Sequence, residues 1–309
     1  MIPAVAVMCL VWGTTWYVIR EGLEHMEPLG SAGLRFAVAS LIMVPIAGSI
    51  GRREGGTAPT PRLIAAMALG NFSISYGIVY WSEQTLPSSL AAVLWGIYPI
   101  LTALIAHVYL PGSRIQGSQW MGLFVGFLGV LLLFFTDIRA VGGDALLRGS
   151  VLLISPVVSA FGTLYIKKHG GGVSSALLNR AALVSAAVIL LTVAYFVEGR
   201  VVLPTEPRAV GSIVYLAGMG TVLTFTLYLW ILRTSSAVSL SLIAYVNPAI
   251  ALLIGAGIGE EPVTAWTLSG LALILTGCAF VLRKPGTKQV APQALQPAGT
   301  QQPLPDTSS

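Results

Sequence analysis

The sequence predicts an all-α integral membrane protein, with ten transmembrane helices arranged as two inverted five-helix repeats. Three observations carry that prediction. Charged residues make up only 9% of the 309 residues and hydrophobic ones 55%, against about 25% charged in a soluble domain; the mean hydropathy is +0.82. The apolar residues fall into ten runs of spanning length, and the second half of the chain repeats a pattern of the first at a nearly constant spacing. A soluble chain of this size would need far more polar surface to stay dispersed in water.

The runs follow in order. A spanning helix needs about 20 mostly apolar residues. Uncharged runs cover 2–19, 63–82, 86–110, 115–136, 149–166, 209–232, 234–259 and 262–282, and two more, 29–50 and 173–197, each carry one arginine, Arg35 and Arg180. Lipid offers the backbone no hydrogen-bond partner, so these runs should be helices; the short alternating segments of a β-barrel are absent. The first run lacks a basic leader and a clear cleavage site, and is expected to stay as a spanning helix. Loops such as 51–61 and 140–148 are too short for a soluble domain. The composition of 285–309, rich in Pro, Gln, Ala, Thr and Ser, reads as a disordered cytoplasmic tail. The expected organisation is therefore a first repeat over 1–140, a second over 141–284, and the tail.

The formal net charge is +5, but the basic residues form no stripe, so nucleic acid is not an expected partner. They sort by loop instead. With the N-terminus in the cytoplasm, ten Lys and Arg, Arg52, Arg53, Lys167 and Lys168 among them, lie on that side. Five lie opposite: Arg20, Arg139, Arg148, Arg200 and Arg208. This bias places both termini in the cytoplasm of a multi-pass protein of the bacterial inner membrane. Cys9 and Cys278 sit singly in apolar runs, which argues against disulfides or a metal cluster. His25, His107 and His169 are scattered, with no HExxH and no paired Asp cluster. No catalytic residue, metal or cofactor is expected, and an intramembrane enzyme acting on a lipid-linked substrate is kept as the alternative reading. No GxxxxGK[ST] motif points to ATP.

The repeat is an ordered series. At a spacing of 149, Gly13-Thr14 matches Gly162-Thr163, Trp81 matches Trp230, Thr85 matches Thr234, Pro99 matches Pro248, and Leu104-Ile105 matches Leu253-Ile254. One residue is then dropped, and Gly122, Leu123 and Gly129 match Gly270, Leu271 and Gly277. Five helices per repeat is an odd number, so the second repeat must enter the membrane from the other side. Inverted repeats of this kind suit alternating access to a site near the midplane.

Val11-Trp12-Gly13-Thr14-Thr15-Trp16, followed by Gly22-Leu23, Pro28 and Leu34-Arg35-Phe36, resembles the EamA family of the drug/metabolite transporter superfamily. The Pro99 and Pro248 helices, each followed by a glycine-bearing apolar helix, extend the resemblance over residues 2–284. It implies a ten-helix fold of two EamA repeats that exports metabolites, amino acids or drugs. Family members often carry an acidic–basic pair after the fourth helix. Here the chain reads Pro111-Gly112-Ser113-Arg114, keeping the base without the acid, whereas the second repeat keeps Glu260-Glu261-Pro262.

Candidate substrate-binding residues come from four places. Pro99 and Pro248 free the carbonyls of Trp95 and Ala244 and act either as hinges or as static kinks; Trp95, Tyr98, Tyr245 and Asn247 lie beside them. In the third helix Ser73, Tyr76, Tyr80 and Glu83 share a helical face, although Trp81 and Glu83 also suit an interfacial belt. Trp12, Thr15 and Trp16 share a face of the first helix, and Ser155, Ser159 and Tyr165 form a polar strip on the sixth, with helix packing as the rival reading. Asn71 and Thr224 read as interhelical hydrogen-bonding groups. The expected solute is small and amphipathic, such as an amino acid.

Arg35 lies about two turns, ~10 Å, inside the membrane. It either snorkels to the interface or pairs with Glu83 or an acid of the 21–27 loop. Every acidic residue falls in a loop, the tail or a helix end, Glu83 being the deepest, which leaves little support for proton coupling through a buried acid. The glycines Gly122, Gly126 and Gly129 serve either a homodimer contact or close packing within one subunit.

Overall fold

A computed structural model describes residues 2–113, 117–133, 142–235, 237–241 and 243–282, with only the backbone of Ile2, Val238, Ser239, Tyr245, Val246, Val281 and Leu282. The tail, Arg114 and the expected repeat boundary at 140/141 lie outside the described residues. Among those described are ten helical rods: α1 (Ile2–Leu23), α2 (Pro28–Glu54), α3 (Pro61–Glu83), α4 (Ser88–Tyr109), α5 (Gly117–Leu133), α6 (Gly143–His169), α7 (Ser175–Val197), α8 (Pro207–Thr234), α9 (Ile243–Gly257) and α10 (Ala265–Leu282). Seven are long and apolar enough to cross a membrane; α5, α9 and α10 are shorter apolar helices. Multi-pass insertion follows from this set, since each rod satisfies its own backbone.

Boundaries differ from the sequence expectation where charge is locally neutralised. α6 begins at Gly143 rather than 149 because Arg148 Nε pairs with Asp144 Oδ2 at 2.8 Å one turn back, which admits both charges to the helix. α2 runs to Glu54, past 50, with Arg52 and Arg53 in its last turn, where the helix dipole favours cations. The expected run from 234 is interrupted: a short turn, Ala237–Leu240, precedes α9.

Counterpart rods pair across the two halves. α2 packs on α7 and α5 on α10, while α1 packs on α8 and α9 as α6 packs on α3 and α4. Loops gather alternately at two faces. At the first face the 55–60 connection meets the 170–174 connection through Thr57 N to Gly172 O (2.8 Å) and Ser174 N to Thr57 O (3.0 Å). At the second face Arg148 donates to Trp81 O and to Gln84 Oε1 (2.9 Å), and Arg20 Nη1 donates to Leu86 O (2.8 Å). Successive rods therefore alternate in direction, and the five-rod halves are inverted.

Carboxylates clasp the halves together. Glu198, just past α7, accepts from the first amides of α2, Leu29 N at 2.6 Å and Gly30 N at 2.8 Å. Glu54, ending α2, accepts from Ser174 Oγ (3.0 Å) and Ala176 N (3.2 Å) at the start of α7. Glu261 caps α4 through Ser88 N (2.7 Å) and Ser89 N (2.8 Å). Its repeat counterpart is Gly112, which brings no carboxylate. Each cap satisfies orphan N–H groups and meets the positive helix end. The glycine face expected as a possible homodimer contact is used within the chain: Gly129 lies against Gly270 and Ile274 of α10, and Gly122 and Gly126 against Gly277.

Candidate functional site

Three of the rods are irregular. α3 contains a π-helical segment, Ala66–Ser73, and α8 another, Gly218–Leu223. α4 breaks between Trp95 and Tyr98, directly before Pro99, whose ring excludes a regular turn. α9 runs through Pro248 without a break. π segments widen a helix and release carbonyls from the regular ladder.

In α3, Asn71 Nδ2 donates to Ser159 O (3.1 Å), Ser159 Oγ (3.2 Å) and Thr163 Oγ1 (2.9 Å) of α6. In α8, the Gly220 carbonyl accepts from Trp12 Nε1 (3.3 Å), Arg35 Nη2 (3.1 Å) and Thr224 Oγ1 (2.8 Å). Both crossings require glycine. A Cβ on Gly162 would strike the Asn71 amide and come within 2.9 Å of Ala66 O, and one on Gly220 would come within 2.9 Å of Thr15 Cγ2.

Between these crossings lies a cavity of about 90 Å3. Its walls are Trp12, Thr15, Trp16 and Ile19 of α1; Asn71, Ser75, Tyr76 and Val79 of α3; Trp95 and Tyr98 of α4; Ser159 and Thr163 of α6; Phe225 and Tyr228 of α8; and Leu240, Ser241, Ile243, Ala244 and Asn247 at the start of α9. Residues 149 apart line it together: Tyr76 with Phe225, Val79 with Tyr228, Trp95 with Ala244, and Tyr98 with Asn247. The cavity thus lies on the pseudo-twofold axis of the repeats.

Its surface is aromatic. Trp95 stacks on Tyr98 with centroids 4.7 Å apart, and Trp12 meets Phe225 at 5.3 Å and Tyr228 at 5.6 Å. The Trp95 indole donates to Ser155 Oγ (3.0 Å), and Tyr98 OH donates to Thr163 Oγ1 (3.1 Å), so these rings are held in place. No lining residue is an acid, a lysine, an arginine or a histidine. Two lining amides, Asn71 and Asn247, keep buried carbonyl oxygens without a hydrogen-bond partner. Among the described residues no cluster of three His, Cys, Asp or Glu comes together.

Of the residues expected from sequence, Trp12, Thr15, Trp16, Tyr76, Trp95, Tyr98, Ser159 and Asn247 line this cavity. Ser155 stands behind it, donating to Ser75 O (3.1 Å) and holding Trp95. The side chain of Tyr245 lies outside the described residues. Tyr80 is off the wall: it is fully buried, and its hydroxyl accepts from Arg35 Nη1 at 3.4 Å. The pairing of Arg35 with Glu83 or with the 21–27 loop is replaced by another arrangement. Arg35 is 0% exposed, donates to Thr221 Oγ1 (2.8 Å) and Gly220 O, and lies 4.6 Å from the Tyr76 ring centroid. The π segment of α8 supplies these acceptors, so the guanidinium is hydrogen-bonded without a carboxylate. Glu83 itself is 0% exposed, packed inside the bundle at the end of α3. The sequence reading missed Phe225 and Tyr228, which a 149-residue shift from Tyr76 and Val79 identifies.

Comparison with known proteins adds family and fold. The family model described as the EamA-like transporter family matches residues 1–135 and again 148–283. The protein named "Uncharacterized inner membrane transporter YedA" of Escherichia coli (strain K12) is 27% identical over 288 residues, covering 90% of this chain and 89% of its own. "Uncharacterized transporter YvbV" of Bacillus subtilis (strain 168) is 24% identical over 291 residues, covering 93% and 92%. A crystal structure 16% identical in sequence superposes with a TM-score of 0.66, covering 90% of this chain and 95% of that one, and so shares the fold.

Proposed function

The chain belongs to the EamA-like transporter family, and from that premise we propose a secondary transporter that exports a small amphipathic solute bearing N–H or O–H donors, such as an amino acid or an amine-containing drug. It works by alternating access around the central cavity, in a bacterial inner membrane, with both termini cytoplasmic. The observation that supports this most is the cavity wall. Aromatic faces suit an apolar body or a cationic group, and the unpartnered oxygen of Asn247 suits a donor on the solute, since a buried acceptor left unmatched is costly.

The two ends of the cavity carry matching ties. At the second face, α1 reaches the end of α3 through Arg20 to Glu83 O (3.2 Å) and Leu86 O (2.8 Å). At the first face, α6 reaches the end of α8 through Lys167 to Leu232 O (2.8 Å); Glu83 and Leu232 are 149 apart. Releasing one tie while the other holds would expose the site to one face at a time. At about 90 Å3 the hollow is well below the ~300 Å3 of ordinary ligand pockets, so solute entry widens it, and the break before Pro99 supplies a hinge.

The test is counterflow in liposomes with a panel of labelled tryptophan, a nucleoside and a cationic drug. Saturable exchange of an amine-bearing member is expected, with Tyr76→Ala and Pro99→Ala each slowing it roughly tenfold, equivalent to about 1.4 kcal/mol, while the variants remain monodisperse. Normal rates in both would remove the cavity as the transport site, and chemical conversion of a solute in place of exchange would favour an enzyme.

A further inference from the structure

The α3 wall continues past the cavity. Asn71, Ser75 and Val79 recur every four residues, and Glu83 is the next position on that face, about 6 Å further along the axis. It is 0% exposed, and both its carboxylate oxygens are buried without a hydrogen-bond partner. In the other repeat the position is Leu232, so the acid belongs to one end of the cavity only.

The charged and titratable groups around it leave it unpaired. From α1, Arg20 donates to the backbone carbonyls of Glu83 and Leu86 rather than to the carboxylate. From α2, Arg35 is engaged by Thr221, Gly220 and Tyr80. From the α9–α10 connection, Glu261 brings a second negative charge, its two oxygens already committed to Ser88 and Ser89. From α6, Arg148 reaches Trp81 O, Gln84 and Asp144. On α3 itself, Tyr80 is turned to Arg35. An ionised carboxylate in such a place has no solvent and no hydrogen-bond donor, with Arg20 and Arg35 nearby but committed to other acceptors, a costly state that a protein avoids by keeping the group neutral.

We propose that Glu83 is a proton-binding site that couples solute export to proton entry, an inference resting on the transport reading above. With the second face open, the Glu83 carboxylate takes a proton from hydronium, forming one O–H bond and leaving water. Arg20 is freed to bind the Glu83 and Leu86 carbonyls and closes that face, the state described here. Once the first face opens, solute enters the adjacent cavity and the carboxyl O–H bond breaks, the proton passing to a water there. The carboxylate then draws the Arg20 guanidinium off Leu86 O, which loosens the second face. One proton enters as one solute leaves.

The full chain in liposomes tests this in two ways. Infrared spectroscopy at neutral pH should show a protonated carboxylic C=O band that disappears in Glu83→Gln, moves in Glu83→Asp and stays in the exposed-loop variant Glu24→Gln. In uptake assays with the same tryptophan, nucleoside and drug panel, the ratio of pH-gradient-driven accumulation to counterflow should fall at least tenfold in E83Q and be partly kept in E83D. Absence of the band in the unmutated protein, its persistence unchanged in both Glu83 variants, or an unaltered ratio in E83Q overturns the proposal. The band needs no solute and no variant to be read in the unmutated chain, so its absence counts even if E83Q fails to fold. A missing counterflow in the unmutated protein instead removes the transport reading, and the coupling with it.

Discussion

Asn71 of α3 and Gly220 of α8 occupy the same place in the two repeats and do the same work with different chemistry. Each sits in a π segment where a rod from the other half crosses closely. In the α3 wall a neutral amide ties the crossing to Ser159 and Thr163. In the α8 wall position 220 has no side chain, and Arg35 reaches in from α2 to bind the Gly220 carbonyl and Thr221. The fold therefore demands a hydrogen-bonded crossing there, not a particular residue. The difference puts a fixed positive charge behind Tyr76 on the α3 wall.

That contrast can be broken most severely at Arg35. Arg35→Ala removes three hydrogen bonds and leaves a buried void, with an expected loss of about 3 kcal/mol, seen as a lowered thermal midpoint in nanodiscs relative to the unmutated protein. A loss under about 1 kcal/mol would mean the α8 crossing holds without its arginine. The glycines sharpen the comparison. Gly162→Ala should cost about 2 kcal/mol and Gly220→Ala about 1 kcal/mol, because the first added methyl meets the backbone oxygen of Ala66 and the second meets the tips of Thr15 and Arg35. The reverse order in the same melts would mean that Arg35 is held more rigidly than the α3 backbone. The smallest effect is expected at Ser155. Ser155→Ala deletes the acceptor of the Trp95 indole for about 0.5 kcal/mol, and loosened indole geometry should appear as a red-shifted, broadened tryptophan emission. Emission identical to the unmutated protein would show that stacking on Tyr98 alone fixes that ring.

How much of this was legible in the chain depends on what enforces each feature. The rods were readable because lipid forces uncharged stretches into helices; the departures are shifted ends, as where Asp144 and Arg148 neutralise each other, and local breaks, as before Tyr98 and after Leu240. Trp12, Trp16, Tyr76 and Tyr98 could be read from helical faces and proline neighbours, because those patterns are local. Tyr80 could not be separated from Tyr76 by spacing, since what divides them is the guanidinium of Arg35 arriving from another rod. The burial of Glu83 was equally hidden. A residue at a helix end normally meets water, and here Arg20 of α1 and the Glu261 connection, both contributed by distant sequence, reach the turn that follows it.

The carboxylates that latch α2 to α7 at both of their ends have a mechanical corollary. Sliding one rod along the other would undo the Glu54 and Glu198 clasps together, whereas tilting the pair as a unit strains neither. The two therefore form a post, clamped top and bottom, against which the remaining helices would rock in the proposed alternating access.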